Sequence, residues 1–290
     1  MPYRGRIAPS PTGFLHLGHA ATFAQAWRRA RQAKGTILLR IEDLDHERCR
    51  REFTEAITED LTWWGLNWDE GPGMGGPFAP YTQSERRPHF LAAWKALRDG
   101  DWIYPSPHSR KDVAAALSAP QETDAPYGGH TGEAIFPPEL RPGAGAGRNV
   151  AAPAGVNWRF RVPDGEAITF TDGRCGAIRF VAGRDFGDFV VWRRDDVPAY
   201  ELAVVVDDHA MAITEVVRGE DLLLSTARQL LLYRALGWNP PAWWHAPLIR
   251  DAAGRRLAKR HAALSLRSLR AIHPDAEHWK KPTTLAEVSS

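Results

Sequence analysis

The strongest constraint on the fold lies in the first forty-three residues. A short apolar run, "YRGRIAP" at residues 3–9, ends in a loop crowded with proline, glycine and histidine, "SPTGFLHLGH". That loop makes poor helix and poor strand, so its backbone must be held against something other than protein. "LGHAATFAQAWRRARQAKG" then carries helical spacing, with Ala21, Ala24, Gln25 and Arg28 on one face and Gly35 as its stop. "TILLRIED", residues 36–43, is a second β-forming apolar run. Strand, loop, helix and strand form a βαβ unit and favour a parallel sheet. The loop then lies at the carboxyl end of the first strand, where open α/β sheets bind ligands.

Downstream, "REFTEAITEDLTWWGL" reads as a helix. "SERRPHFLAAWKALRDG" reads as another, with Ser84 as its cap and Gly100 as its stop. Residues 119–155 are rich in Ala, Pro and Gly and belong to an insertion. "NWRFRV", "AITFTD", "AIRFVA" and "DFVVWRRD" are short strands. "YELAVVVDDHAMAITEVVRGEDL" is an apolar segment returning to the central sheet, and "STARQLLLYRALGW" is a helix capped by Ser225. The expected units are residues 1–100 and 191–260 as two halves of one nucleotide-binding domain, 101–190 as the insertion and 261–290 as a tail.

Bulk properties narrow the function. The chain has 290 residues, 43% of them apolar, enough for a large core. Its net charge of +2 does not by itself mark a nucleic-acid binder. RNA contact would need local patches, such as Arg28, Arg29 and Arg31, or Arg255, Arg256, Lys259 and Arg260; each is read first as a solvated face. The two cysteines, Cys49 and Cys175, form no framework and no Cys-x-x-Cys pair. No secretory h-region or membrane-length apolar run appears, so a cytoplasmic protein with no membrane partner is expected.

In the first loop, backbone N–H groups and the positive end of the following helix attract phosphate. Gly18 lets a flat base or ribose approach the helix start. His16 and His19, three apart, share a helical face and can donate to phosphate oxygens as charge develops. The competing readings are ordinary polar residues or half a metal site. Zinc pairs on helices sit four apart around a Glu, which fits poorly here.

"RIAPSPTGFLHLGH" resembles the signature of class I glutamyl-tRNA synthetases, with "HLGH" in place of their HIGH motif. "LLRIEDLDHERCR" and "YELAVVVDDHAMAITEVVRGEDLL" resemble further blocks of that family, and "RLAKR" stands where the KMSKS-type loop belongs. The resemblance implies an α/β fold: the Rossmann-like nucleotide-binding domain of class I aminoacyl-tRNA synthetases, with an inserted α+β subdomain. It covers the catalytic domain alone. About thirty residues follow Arg260, too few for an anticodon-binding domain, so none is expected.

By that resemblance Arg6, Ala8, Ser10, Glu42, Tyr200 and Arg218 bind glutamate. Arg6 takes the side-chain carboxylate and Glu42 the α-ammonium. The competing reading of Arg6 and Arg218 is a structural ion pair with Asp43, Asp45 or Glu220. His16, Gly18, His19, Arg256, Leu257 and Lys259 bind ATP, with His16, His19 and Lys259 catalytic and Mg²⁺ carried on the phosphates. Arg256 and Ala258 depart from the KMSKS pattern: charge is kept and a hydroxyl is lost.

The short form resembles the branch that attaches glutamate to queuosine in tRNA(Asp). Expected partners are therefore L-glutamate, ATP and queuosine-bearing tRNA(Asp), acting on a monomer. Two alternatives stay open: charging the 3′ end of a tRNA, and a non-catalytic module retaining the fold. Relatives often hold zinc in the insertion. Here Ser106 and His108 occupy the first pair of ligand positions, Tyr127 remains, and His130 or Thr131 replaces the last cysteine. Four N or S ligands are not available, so no metal and no zinc are expected.

Overall fold

The computed structural model describes residues 2–108, 135–248 and 265–277. The opening motif folds as its pattern predicts. Strand β1 (Arg4–Ile7) pairs in parallel with β2 (Thr36–Leu39), in register from Arg4 opposite Thr36 to Ile7 opposite Leu39. Helix α1 (Leu17–Gln32) connects them. It turns Leu17, Ala20, Ala24 and Ala30 inward; Ala21 and Arg28, expected to share a face with Ala24, are exposed. The small alanines let α1 lie close to the strands. Together with Ile7, Ile37, Leu39, Leu61 and Leu266 they form one of the two large apolar clusters among the described residues.

Helix α2 (Arg51–Trp63) follows β2, and α3 (Arg87–Asp99) follows a 3-10 turn, Gln83–Arg86. Ser84 is not the cap of α3. It sits inside the 3-10 turn, and both its backbone N–H and its hydroxyl donate to Asp43. An antiparallel sheet of β3 (Ile103–Ser106), β4 (Asn157–Phe160) and β7 (Phe189–Trp192) comes next. β5 (Ala167–Asp172) and β6 (Gly176–Val181) form a hairpin.

The apolar segment expected to return to the sheet divides in two. Its first part is helix α4 (Tyr200–Ala210), buried along residues 201–208. The helix is enclosed on every side, and its buried acids Glu201, Asp207 and Asp208 are each held by hydrogen bonds or ion pairs. Its second part is β8 (Glu215–Gly219), which pairs in parallel with β9 (Ala242–Ala246). Helix α5 (Leu223–Leu236) connects them and stops at Gly237, whose φ of 69° is left-handed. Leu222, not Ser225, is its N-cap; the Ser225 hydroxyl instead donates to Glu201.

β1 and β8 lie side by side. The Thr214 N–H donates to the Arg4 carbonyl at 2.9 Å, and further along the Arg6 guanidinium donates to the Val217 carbonyl at 3.0 Å. The carboxyl ends of β1, β2, β8 and β9 consequently converge beside the start of α1. Helix α6 (Leu266–Ile272) closes this end from below: its Leu266 N–H donates to the Leu15 carbonyl at 2.7 Å, and Ser265 bridges His16.

Asp60 on α2 faces α6 and is fully buried. Neither carboxylate oxygen has a hydrogen-bond partner among the described residues, and Arg270 stands 3.8 Å away. Burial raises its pKa from 3.8 to about 6, against the pull of Arg270 and Arg267. The folded state thus holds this proton more tightly than the unfolded chain. The stabilisation of the protonated form is lost as pH rises through about 6, a penalty of about 3 kcal/mol at neutral pH. Asp60→Asn is therefore expected to raise the melting temperature at pH 7.5 and to leave it nearly unchanged at pH 4. Equal melting curves at pH 7.5 would refute the buried-charge penalty.

Candidate active site

A crevice of about 370 Å³ opens at the converging strand ends. It is lined by all nine candidate residues that fall among the described ones: Arg6, Ala8, Ser10, His16, Gly18, His19, Glu42, Tyr200 and Arg218. They come from the ends of β1, β2 and β8 and the starts of α1 and α4. Arg256, Leu257 and Lys259 lie outside the described residues.

The two histidines are joined by the helix start itself. His16 is the N-cap of α1, and its Nδ1 accepts the Gly18 N–H at 3.1 Å. His19 Nδ1 accepts the His16 N–H at 3.3 Å. This reciprocal arrangement is a capping box built from imidazoles. The rings stack with centroids 3.7 Å apart. With both Nδ1 atoms accepting, each neutral ring carries its proton on Nε2 and offers a donor beside the crevice. A Cβ at position 18 would lie 2.9 Å from His16 Cε1, so Gly18 is needed for the histidine cap as well as for open space.

Beneath the crevice lies a buried charge network. Arg40, with no exposure, donates to Asp208 at 2.7 Å and to Glu42 at 2.9 Å, with Asp207 at 3.9 Å. Asp207 also accepts from Arg86 at 2.6 Å and Gln83 at 2.8 Å. Arg6 Nε donates weakly to Asp208 at 3.4 Å and Nη1 to Val217, leaving Nη2 without a partner among the described residues. Glu42 uses Oε1 toward Arg40 and has Oε2 left for the crevice. Burial raises its carboxyl pKa, while Arg40 and Arg6 oppose the rise.

Arg218 differs from its neighbours. It is 5% exposed, yet every partner is neutral: His245 Nε2 at 3.2 Å, Gln229 at 2.9 Å, Thr226 at 2.7 Å, the Leu222 carbonyl at 3.4 Å and the Tyr200 hydroxyl at 3.5 Å. A buried guanidinium without a carboxylate in contact is costly unless a ligand supplies the negative charge. The two longest of its bonds are the ones most readily exchanged for such a ligand. The competing reading holds in part: Arg6 does pair with Asp208, at 3.4 Å, but neither Arg6 nor Arg218 pairs with Asp43, Asp45 or Glu220. Asp43 accepts from Ser84, Asp45 pairs with Arg48 and Glu220 with Arg174.

Thr22, Phe23 and Leu248 line the crevice without any motif signal, and Asp221 and Leu222 line it from within the block at residues 200–223, where no sequence signal singles them out. Arg40 did leave a signal, a cation inside the apolar run "LLRIED". The α1 patch is largely neutralised, Arg29 pairing with Glu215 and Arg31 with Asp69. In the insertion, Ser106 is buried and accepts from Arg159 at 3.3 Å, while Arg159 lies over the Phe136 ring. A hydroxyl bonded to a guanidinium does not fit a zinc ligand, since the cation would repel the metal. Tyr127, His130 and Thr131 lie outside the described residues. Among the described residues no cluster of three His, Cys, Asp or Glu is arranged for a metal, and no helix is long and apolar enough to cross a membrane.

Comparison with known proteins bears on the same crevice. The family model "tRNA synthetases class I (E and Q), catalytic domain" matches residues 3–272. A protein of Nitratidesulfovibrio vulgaris named glutamyl-Q tRNA(Asp) synthetase is 48% identical over 269 residues, 92% of this chain and 81% of that one. A protein of the same name from Symbiobacterium thermophilum is 47% identical over 275 residues, 94% of this chain and 83% of that one. The crystal structure of a glutamate tRNA ligase from Elizabethkingia meningosepticum, in complex with its amino acid, superposes with a TM-score of 0.74 at 31% identity. It is covered to 52% of its length by 90% of this chain.

Proposed function

The chain belongs to the class I tRNA synthetase family for E and Q and is a ligase of that family; from this premise we propose that it activates glutamate with ATP and transfers it to queuosine in tRNA(Asp). One observation carries the reading. Arg6 Nη2, Glu42 Oε2 and Arg218, which has no carboxylate in direct contact among the described residues, converge on a single crevice with the imidazole cap of α1.

In this reading Arg6 and Arg218 hold the two carboxylates of glutamate and Glu42 its ammonium. An α-carboxylate oxygen attacks the α-phosphorus of ATP, the bond to pyrophosphate breaks, and glutamyl adenylate forms. ATP enters as its magnesium complex. The Nε2–H groups of His16 and His19 donate to phosphate oxygens as negative charge spreads, which is positioning and electrostatic work rather than covalent catalysis. Arg256, Leu257 and Lys259 complete the ATP site, on the strength of the "RLAKR" match alone. A queuosine hydroxyl then attacks the activated carbonyl and AMP leaves. The choice of queuosine over a tRNA 3′ end rests on the relatives at 47–48% identity.

Glutamate-dependent exchange of pyrophosphate into ATP is expected without any tRNA, followed by transfer to tRNA(Asp) only when it carries queuosine. Exchange that appears only with tRNA(Glu) present would overturn the queuosine assignment.

A further inference from the structure

We propose that Asp172 and His245, outside the crevice, are positioning residues that set the orientation of Arg218 for glutamate. This rests on the assignment of Arg218 to the amino-acid pocket.

His245 on β9 is fully buried behind Arg218. Its Nδ1 lies 2.7 Å from Asp172 Oδ2, and its backbone N–H donates to the same oxygen at 3.1 Å. Asp172 also accepts the N–H groups of Arg174 and Cys175, so its carboxylate is fixed at the end of β5. A carboxylate accepts and does not donate, which forces the proton onto Nδ1 of His245. Nε2 is thereby a bare acceptor. Arg218 Nε donates to it at 3.2 Å, and the Thr226 hydroxyl is 3.1 Å away. The opposite tautomer would aim Nε2–H at the Arg218 N–H, and a protonated ring would set two cations against each other. Burial, helped by the charge of Arg218, pushes the imidazole down to about 4 against the pull of Asp172, so the acceptor state holds throughout the neutral range.

Nε is engaged by His245 Nε2, Gln229 and Thr226 each take one hydrogen of Nη1 and Nη2, and the long bonds to Tyr200 and Leu222 are the ones a carboxylate can replace. Anchoring Nε fixes the guanidinium plane in which that carboxylate meets Nη1 and Nη2. The chain Asp172 to His245 to Arg218 thus reaches from β5, an inner strand between β6 and β9, toward the crevice, in the way outer ligands orient a binding group.

The test compares His245→Leu with His245→Gln in glutamate-dependent pyrophosphate exchange, reading KM for glutamate and for ATP separately. Glutamine can return an acceptor near the Nε2 position; leucine cannot. The expected result is a rise of about tenfold in glutamate KM for His245→Leu, ATP KM within about twofold, and recovery to within about threefold in His245→Gln. If leucine and glutamine behave alike, or if both KM values rise together, His245 is only a core residue and the proposal fails. Should the leucine variant not fold, Asp172→Asn serves, because an amide admits either tautomer; an unchanged glutamate KM there overturns the proposal. Arg218→Ala is the control. If it leaves glutamate KM unchanged, the pocket assignment itself falls and this inference with it.

Discussion

Arg218→Ala is expected to lower glutamate-dependent pyrophosphate exchange at subsaturating glutamate about a thousandfold, with the melting temperature unchanged or higher. The two halves of this result have one cause. Arg218 is a buried cation whose direct contacts among the described residues are all neutral, and the nearby carboxylate of Glu201 reaches it only through Gln229. Loss of a buried charge-paired contact costs about 4 kcal/mol, which is about three decades in affinity. Its loss from the ligand-free protein removes a desolvated charge, and crevice water can satisfy Gln229, Thr226 and His245. Exchange kinetics and thermal melting of the same preparation check both halves. A rate within threefold of the unsubstituted protein removes Arg218 from glutamate recognition.

Arg40→Met is expected to do the reverse, with its main effect on stability. Arg40 has no exposure and holds Asp208, Glu42 and, at longer range, Asp207. Burial alone would lower its pKa, but the three acids together raise it. Methionine keeps the volume and strands the carboxylates. Asp207 retains Arg86 and Asp208 retains a 3.4 Å contact to Arg6, but Glu42 loses its only ion pair among the described residues. The expected cost is about 4 kcal/mol, or roughly 10 °C in melting temperature for a chain of this size. Because the stranded groups are acids, the deficit is expected to shrink as pH falls and they bind protons. Melting curves from pH 5 to 8 check this; a deficit independent of pH would mean that lost packing, not lost charge, is responsible.

The crevice residues were legible because strand ends and helix starts are short-range events. Glycine, proline and the spacing of His16 and His19 mark such a junction within a few residues. The sequence could put the two histidines on one face of α1. It could not tell that His16 is the cap, since capping depends on the φ and ψ of one residue. Ser84 and Ser225 show the same limit from the other side. Both are good capping residues drawn away by a distant or buried carboxylate, Asp43 for the first and Glu201 for the second. The segment at residues 200–219 reads as apolar and buried but not as α4 followed by β8, because its apolar runs, broken at residues 207–209, give no clear period to read.

Chain order and local chemistry therefore determined the βαβ start, the loop at its carboxyl edge and the buried strands, while the glutamate and ATP candidates came from the resemblance of the quoted blocks to class I glutamyl-tRNA synthetases. Tertiary structure alone decided which charges face each other. Arg40 meets Asp208 across 168 positions of chain, and Asp172 meets His245 across 73. Hydrophobic patterning is a property of neighbours along the chain and can be read there. Charge compensation is a property of neighbours in space, and the packing of β1, β5, β8, β9 and α4 settles which ions are paired and which, like Arg218, meet only neutral groups directly.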